Sequence, residues 1–378
     1  MSEPERNPAI DHKLPPELLP SDGRFGSGPS KVRDAAVTAL AGIAHNYLGT
    51  SHRQNTVRSV VGDVRRGLAD LFSLPDGYEV LLGIGGSTLF WDAASFGLVE
   101  RRSTHVVIGE FSSKFAAVTK AAPHLDDPQV CETAPGDTPV LPDRVEGDVY
   151  AYPHNETSTG VTVDIHRPDG DALVVIDGTS AAGGIRVDPR AFDVYYFAPQ
   201  KCFASDGGIW FALCSPAALA RIEKIKGTRW TPASLDLSIA VENSRLEQTY
   251  NTPALATLYL LERQLRWMLD NGGYEFSAGR CDRSAATIYD WADAHPHATP
   301  FVQDPAHRSS VTATIDFDES IDAAKISAAL RMNGIVDVEP YRKLGRNQLR
   351  VALFPAIEPD DIVILTRAID FLVERVAV

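Results

Sequence analysis

The run Phe192-Asp-Val-Tyr-Tyr-Phe-Ala-Pro-Gln-Lys201-Cys-Phe-Ala-Ser-Asp-Gly-Gly208 decides how the chain is read. Val194, Tyr195, Tyr196 and Phe197 are apolar and read as a short buried strand. The strand meets Pro199 and delivers one lysine, Lys201, to a loop that closes on paired glycines. Upstream, a second apolar run, Ala172-Leu-Val-Val-Ile176, ends on Asp177. Two buried strands thus each carry a charged residue at or just past the carboxyl end. That edge is where open α/β sheets bind ligands.

Lys201 there can bond covalently to an aldehyde, of which pyridoxal phosphate is the common cofactor. Asp177 can hold the cofactor's pyridine nitrogen protonated, so that the ring accepts electrons. Each residue alone has a plainer reading: Lys201 as a solvated loop residue, Asp177 as the cap of a helix begun near Ser180.

Working outward, 378 residues suffice for a large core and two domains. An apolar fraction of 44% with 23% charged residues is ordinary for a soluble globular chain. No apolar run approaches the roughly 18 residues that span a bilayer. The acidic start Met1-Ser-Glu-Pro-Glu-Arg6 has no apolar segment of a secretory signal, so a cytoplasmic location is expected. Cys131, Cys202, Cys214 and Cys281 form no CxxC pair, which suits reduced thiols and gives no metal site. A net charge of −14 argues against a nucleic-acid partner and makes each local basic cluster a question about which anion it holds.

In chain order, residues 1–22 are proline-rich and read as an extended arm. Arg24-Phe-Gly-Ser-Gly-Pro-Ser30 is a glycine-rich turn. His52 and Arg53 precede a helix marked by Val57, Val60, Val61, Val64, Leu68, Leu71 and Phe72 at helical spacing. The pair can hold a phosphate or carboxylate, or be an exposed loop. A strand at Tyr78-Glu-Val-Leu-Leu-Gly83 leads through Ile84-Gly85-Gly86-Ser87-Thr88 into a helix carrying Leu89, Phe90, Ala93 and Phe96. Strand, glycine loop and helix make an anion site, though neither GxGxxG nor a P-loop lysine is present.

Residues Thr104 to Phe111 read as a strand, with a helix from Ser112; Phe111 either stacks on a flat ring or belongs to the core. A strand from Asp148 ends in a polar run with Asn155, Thr157 and Ser158. Gly208 to Cys214 is one more strand, followed by a helix. Strands alternating with helices over 78–226 imply a mostly parallel sheet flanked by helices. Residues 227–252 read as irregular, and a helix follows from Pro253 with Thr252 as its cap. Asn271-Gly-Gly273 marks a boundary between a large domain, 23–272, and a smaller α+β domain, 273–378. In the latter, Arg350 sits mid-strand among apolar neighbours and reads as the partner of a ligand carboxylate or of an internal acid.

Phe25-Gly-Ser-Gly-Pro29, Ser51-His-Arg53, Gly85-Gly-Ser-Thr88, Asn155-Glu-Thr157, Val175-Ile-Asp177, Ala198-Pro-Gln-Lys201, Tyr250-Asn-Thr-Pro253 and Leu349-Arg-Val351 together resemble the phosphoserine aminotransferases. That family lies in the class V group of fold-type I pyridoxal-phosphate enzymes. The likeness covers nearly the whole chain after residue 22 and is greatest to the actinobacterial, mycobacterial-type branch. It implies an α/β fold-type I architecture. It implies Lys201 as the covalent cofactor lysine and proton carrier, and Asp177 as partner of the pyridine nitrogen. Thr157 would bond the ring hydroxyl, Phe111 would stack on the ring, and Gly86, Ser87 and Gln200 would hold the cofactor phosphate. Asn251 and Thr252 would reach in from the second subunit of a homodimer with composite sites. Arg350 would clamp the substrate carboxylate beside Ser27. The partner's copies of His52 and Arg53 would bind the substrate phosphate, helped by Arg342 or Lys343.

The implied reaction is transamination between O-phospho-L-serine and 2-oxoglutarate, giving 3-phosphohydroxypyruvate and L-glutamate. It would serve L-serine biosynthesis and also pyridoxine biosynthesis. The chain departs from the family pattern at Phe111, where many members carry Trp; at Ser87, where some carry Arg; and at Tyr341-Arg342-Lys343, where some carry a His-Arg pair. Other class V activities remain as alternatives, among them alanine–glyoxylate aminotransferase and cysteine desulfurase, as does a non-catalytic nucleotide-binding protein.

Overall fold

The computed structural model describes residues 12–376. Two helices come first, α1 (Asp34–Tyr47) and α2 (Asn55–Leu71). The α/β region follows: β1 (Glu79–Ile84), α3 (Ser87–Gly97), β2 (Ser103–Val107), α4 (Glu110–Ala121), β3 (Gln129–Glu132), β4 (Val149–Pro153), the short hairpin β5 (Asn155–Glu156) and β6 (Val161–Thr162), β7 (Leu173–Asp177), β8 (Val194–Phe197) and β9 (Ile209–Cys214). Helices α5 (Pro216–Ile225), α6 (Leu237–Arg245), α7 (Leu255–Asp270) and α8 (Gly273–Ala294) lead to β10 (Ala298–Pro300), β11 (Thr312–Phe317), α9 (Ala323–Met332), β12 (Gln348–Ala352) and α10 (Pro359–Val376).

The large sheet has seven strands in the order β1-β9-β8-β7-β4-β2-β3. Only β9 runs against its neighbours. The side-chain period of two sends alternate residues to opposite faces. Val174, Ile176, Tyr195 and Phe197 pack under α2 and α7, whereas Leu173, Val175, Val194 and Tyr196 pack under α3, α4, α5 and α6. The β7–β8 register sets Asp177 directly opposite Tyr196, which places both on the second face.

A separate hydrophobic cluster surrounds the antiparallel sheet β10-β11-β12 with α8, α9 and α10. Leu14 and Phe25 belong to it. The Leu14 amide donates to Asn333 Oδ1 (2.9 Å), Ser21 binds both oxygens of Asp361, and the Ala352 amide donates to the Phe25 carbonyl (2.9 Å). The part of the expected N-terminal arm at residues 1–11 lies outside the described residues. The part at 12–22 is tied down along the second cluster.

Four local expectations differ from the structure. The strand read from Thr104 ends at Val107, and α4 begins at Glu110, so Phe111 sits in the first turn of a helix. The cause is distant: buried Glu156 accepts from the Phe111 amide (3.2 Å), the Ser112 amide (3.0 Å) and the Ser112 hydroxyl (3.0 Å) and so caps the helix from another loop. Residues 227–252 are not wholly irregular but contain α6, capped by Asp236, which accepts from the Ser238 amide (2.8 Å). Helix α7 starts at Leu255, and Thr252 does not cap it. Asp177 caps no helix, since Ser180 to Gly184 form turns; its Oδ1 instead accepts the Thr179 amide (2.9 Å).

Candidate active site

At the carboxyl edge of β7 and β8 lies a cavity of about 390 Å³ lined by Gly86, Ser87, Phe111, Thr157, Asp177, Gln200 and Lys201, among others. Each element delivers one or two of these residues. Strand β7 ends on Asp177, the loop after β8 carries Gln200 and Lys201, the loop after β1 supplies Gly86 and Ser87, and the β5–β6 hairpin supplies Thr157. The first turn of α4 adds Phe111, and α3 adds Trp91.

Lys201 stands half-buried at the centre, and its ammonium donates to the Ser27 carbonyl. Burial first, and then the Arg350 guanidinium, push its pKa down to about 8. A side chain on Gly28 would strike this amine: a Cβ there would stand 2.2 Å from Lys201 Nζ, and the backbone at φ +142 suits only glycine. Asp177 is held from two sides. Its Oδ1 accepts from the Thr179 amide, and its Oδ2 accepts from the Tyr196 hydroxyl (3.0 Å), which in turn accepts from Trp91 Nε1 (2.8 Å). Burial raises the proton affinity of this carboxylate, and the hydrogen bonds oppose that rise.

The start of α3 has no side-chain cap, and Gly86 provides its N-cap position. Backbone N–H groups of this turn are therefore free for an anion, beside the Ser87 hydroxyl, which pairs with Thr179 Oγ1 at 2.6 Å. Arg350 reaches over from β12, and its Nη1 donates to the Thr157 carbonyl (3.3 Å). Among the described residues no acid pairs with it; burial lowers its pKa, and its guanidinium lies 5.4 Å from the Tyr341 ring centre.

Four buried polar atoms around Lys201 lack a hydrogen-bond partner: Ser27 Oγ, Asn155 Oδ1, Gln200 Oε1 and Arg350 Nε. Orphaned polar atoms are costly; Asn155 and Gln200 line the cavity itself, and Ser27 and Arg350 stand beside Lys201, a set that fits a polar ligand that would satisfy them. A phosphate at the α3 turn, a ring between Phe111 and the sheet edge, a pyridine nitrogen at Asp177 and an aldehyde at Lys201 fit this set of groups.

The other expected residues gather elsewhere. His52, Arg53, Asn251 and Thr252 do not line the cavity. They form their own half-exposed cluster: Thr252 Oγ1 meets His52 Nδ1 at 3.1 Å, and Arg53 Nη1 donates to Gln248 Oε1 at 2.7 Å. His52 Nε2 is buried there without a partner. Arg342 and Lys343 stand in a short turn, Arg342–Leu344; Arg342 is exposed, and Lys343 pairs with Glu110, next to Phe111. Ser27 and Arg350 do reach Lys201's surroundings.

Sequence reasoning missed Trp91, Thr179, Ser180 and Asp206 as cavity residues, and Glu156 as the support of Phe111. Trp91 carried the weakest signal, lying within an apolar helical pattern. Glu156 carried a stronger one, an acid flanked by Asn155 and Thr157 at a strand end.

A lysine and an aspartate at this edge of a seven-stranded α/β sheet, with a glycine turn for an anion, define a fold-type I pyridoxal-phosphate enzyme. Comparison with known proteins agrees. The aminotransferase class-V family model matches residues 26–337. The phosphoserine aminotransferase of Rhodococcus jostii is 56% identical over 365 residues, covering 96% of this chain and 98% of that one. Among solved structures, a phosphoserine aminotransferase from Cytophaga hutchinsonii superposes with a TM-score of 0.85 at 22% identity, over 93% of this chain and 99% of that one. The pyridoxal-phosphate-bound phosphoserine aminotransferase of Trichomonas vaginalis gives 0.80 at 20% identity, over 92% and 99%. At these identities the structures speak for the fold alone. The chain belongs to the class-V aminotransferases, within the phosphoserine aminotransferase family. It is an enzyme whose cofactor is pyridoxal phosphate. Among the described residues, no helix is long and apolar enough to cross a membrane, and no group of three or more His, Cys, Asp or Glu is placed to hold a metal ion.

Proposed function

We propose that the chain transfers the amino group of O-phospho-L-serine to 2-oxoglutarate, and the reverse, interconverting these with 3-phosphohydroxypyruvate and L-glutamate in L-serine biosynthesis. The observation that carries the reading is Lys201 and Asp177 lining one cavity, with the unpartnered Arg350 guanidinium beside Lys201. The choice of phosphoserine rests on the relatives' names.

When bound, pyridoxal phosphate supplies an aldehyde that takes up the amino group and a ring that accepts the electron pair freed at the substrate's α-carbon. Lys201 anchors that aldehyde and carries the proton between the α-carbon and the cofactor. A pKa near 8 leaves a usable fraction of free amine at neutral pH. Asp177, kept as an anion, holds the ring nitrogen's proton. Thr157 donates to the ring hydroxyl, Phe111 packs on the ring, and Gly86, Ser87 and Gln200 hold the phosphate. Arg350 binds the α-carboxylate in two-point fashion beside Ser27.

Both amino-acid substrates carry a second acidic group, and the cavity's own cations do not provide for it. We assign that task to His52 and Arg53 of a second copy, with Arg342 or Lys343, and assign Asn251 and Thr252 of that copy to the cofactor phosphate. The separate cluster these residues form, outside their own chain's cavity, supports a homodimer with composite sites. The division into a domain of 23–272 and one of 273–378, and a cytoplasmic location, belong to the same proposal. A desulfurase would need a mobile thiol, and Cys281 is buried in α8.

The deciding experiment compares 3-phosphohydroxypyruvate with hydroxypyruvate, each with glutamate as donor. Strong preference for the phosphorylated acid is expected; equal kcat/KM for the two would overturn the substrate assignment.

A further inference from the structure

We propose that Tyr196, backed by Trp91, is a positioning residue that fixes the Asp177 carboxylate as the partner of the cofactor's ring nitrogen. The proposal rests on the assignment of Asp177 made above and names the device that makes it work.

A carboxylate at the buried end of a strand can lose its charge or turn its plane away. Register prevents the second. Strands β7 and β8 place Asp177 and Tyr196 side by side on one face, so the phenol oxygen stands 3.0 Å from Oδ2. Tyr196 cannot swing: its ring stacks on Phe90 with centroids 4.5 Å apart and meets the edge of Phe115 at 6.0 Å. Trp91 Nε1, a donor only, occupies an acceptor position of the phenol oxygen at 2.8 Å. The phenol proton therefore points to Asp177. A donor that is itself hydrogen-bonded is polarised and donates more strongly. With the Thr179 amide on Oδ1, both oxygens have one fixed donor, and the remaining lone pairs are left for the cavity.

The charged and titratable groups near this carboxylate are Lys201, in the loop after β8, and Tyr195 and Tyr196 on β8. Glu156 acts on Lys201 and Tyr196, and Arg350 on Lys201. A hydrogen bond to the charged form of an acid lowers its pKa, so loss of the phenol must raise that of Asp177.

The test uses the holoenzyme with Tyr196→Phe, which removes one oxygen, and Trp91→Phe, which removes the donor behind it. For Tyr196→Phe, kcat should fall about 10- to 100-fold, the range of a hydrogen bond to a charged group. KM for phosphoserine should change less than about threefold, because Arg350 is untouched. The acid limb of the kcat–pH profile should move up by about one pH unit. Independently of turnover, the nuclear magnetic resonance of a cofactor isotopically labelled at the ring nitrogen should report loss of ring protonation at lower pH than in the wild type. Trp91→Phe should move all three in the same direction by less, and the double variant should be no worse than Tyr196→Phe alone, since one residue acts through the other. An unmoved acid limb and nitrogen signal in Tyr196→Phe would overturn the proposal, as would additive losses in the double variant. Asp177→Asn separates the two levels. If it loses turnover and ring protonation while Tyr196→Phe keeps both, the relay is wrong and Asp177 stands. If Asp177→Asn keeps both, the assignment of Asp177 itself falls.

Discussion

The Lys201 cavity and the His52–Thr252 cluster are built in opposite ways. The first is enclosed: strand ends, loops and helix starts of one chain converge on the Lys201 amine, and Asp177 is held by the Thr179 amide and the Tyr196 hydroxyl. The second is open: Arg53, Asn251 and Thr252 are exposed, and their contacts are a few polar pairs between two loops. A site for one cofactor can be finished within a chain. A site that must admit and release charged substrates leaves its selective cations at the rim, where a second copy can bring them.

That contrast can be broken most directly at Lys201. Lys201→Ala should lower turnover at least about a thousandfold, since no other amine stands in the cavity. Borohydride reduction and peptide mapping of the wild type should place the label on Lys201, and a variant with wild-type turnover would end the assignment. At the open cluster the effect is smaller and selective. Arg53→Ala should reduce kcat/KM for phosphoserine about 10- to 100-fold, the worth of a charge-assisted hydrogen bond, yet scarcely alter the already poor reaction of serine. Arg350→Ala should instead weaken both substrates alike. Equal losses for phosphoserine and serine in Arg53→Ala would leave His52 and Arg53 as a structural loop.

A gentler probe is pH. The free-amine fraction of a lysine with pKa about 8 rises as pH increases through that value. Stopped-flow absorbance should therefore show the apoprotein taking up pyridoxal phosphate about tenfold faster at pH about 9 than at about 7. A flat profile would contradict the depressed pKa. The smallest signal joins the two regions. After one-to-one subunit exchange, Lys201→Ala mixed with an Arg53→Ala, Thr252→Ala chain should recover about a quarter of wild-type activity, because half the dimers carry one intact site. No recovery despite proven exchange would mean that each chain completes its own site.

The enclosed region was the more legible from sequence. Residues at strand ends announce themselves: a charge after an apolar run, as at Asp177 and Lys201, has few bland explanations when it occurs twice. Trp91 and Tyr196 did not, because an aromatic within an apolar helix or strand is read as core, and here each is core and polar partner at once. The start of α4 was missed for another reason. Its cap is Glu156, more than forty residues away, and no local window contains it. Helix α6 does carry a local signal, the capping Asp236 ahead of Leu237. The basic residues near position 342 were found as a cluster, but which acid each faces, such as Glu110 for Lys343, is a tertiary fact.

The tie between Phe25 and the last strand also bears on how the protein is made. Phe25 pairs its backbone with Val336 and Ala352, and Ser21 grips Asp361, partners more than 300 residues later in translation. The ribosome releases the seven-stranded sheet complete, with β1 to β9 all in hand by residue 214. The smaller core has no such head start. Its first two apolar pieces, Leu14 and Phe25, emerge at the very beginning, and their neighbours emerge at the very end. Throughout synthesis the segment around Leu14 to Phe25 must wait beside a growing chain, until β12 and the first turn of α10 supply its partners.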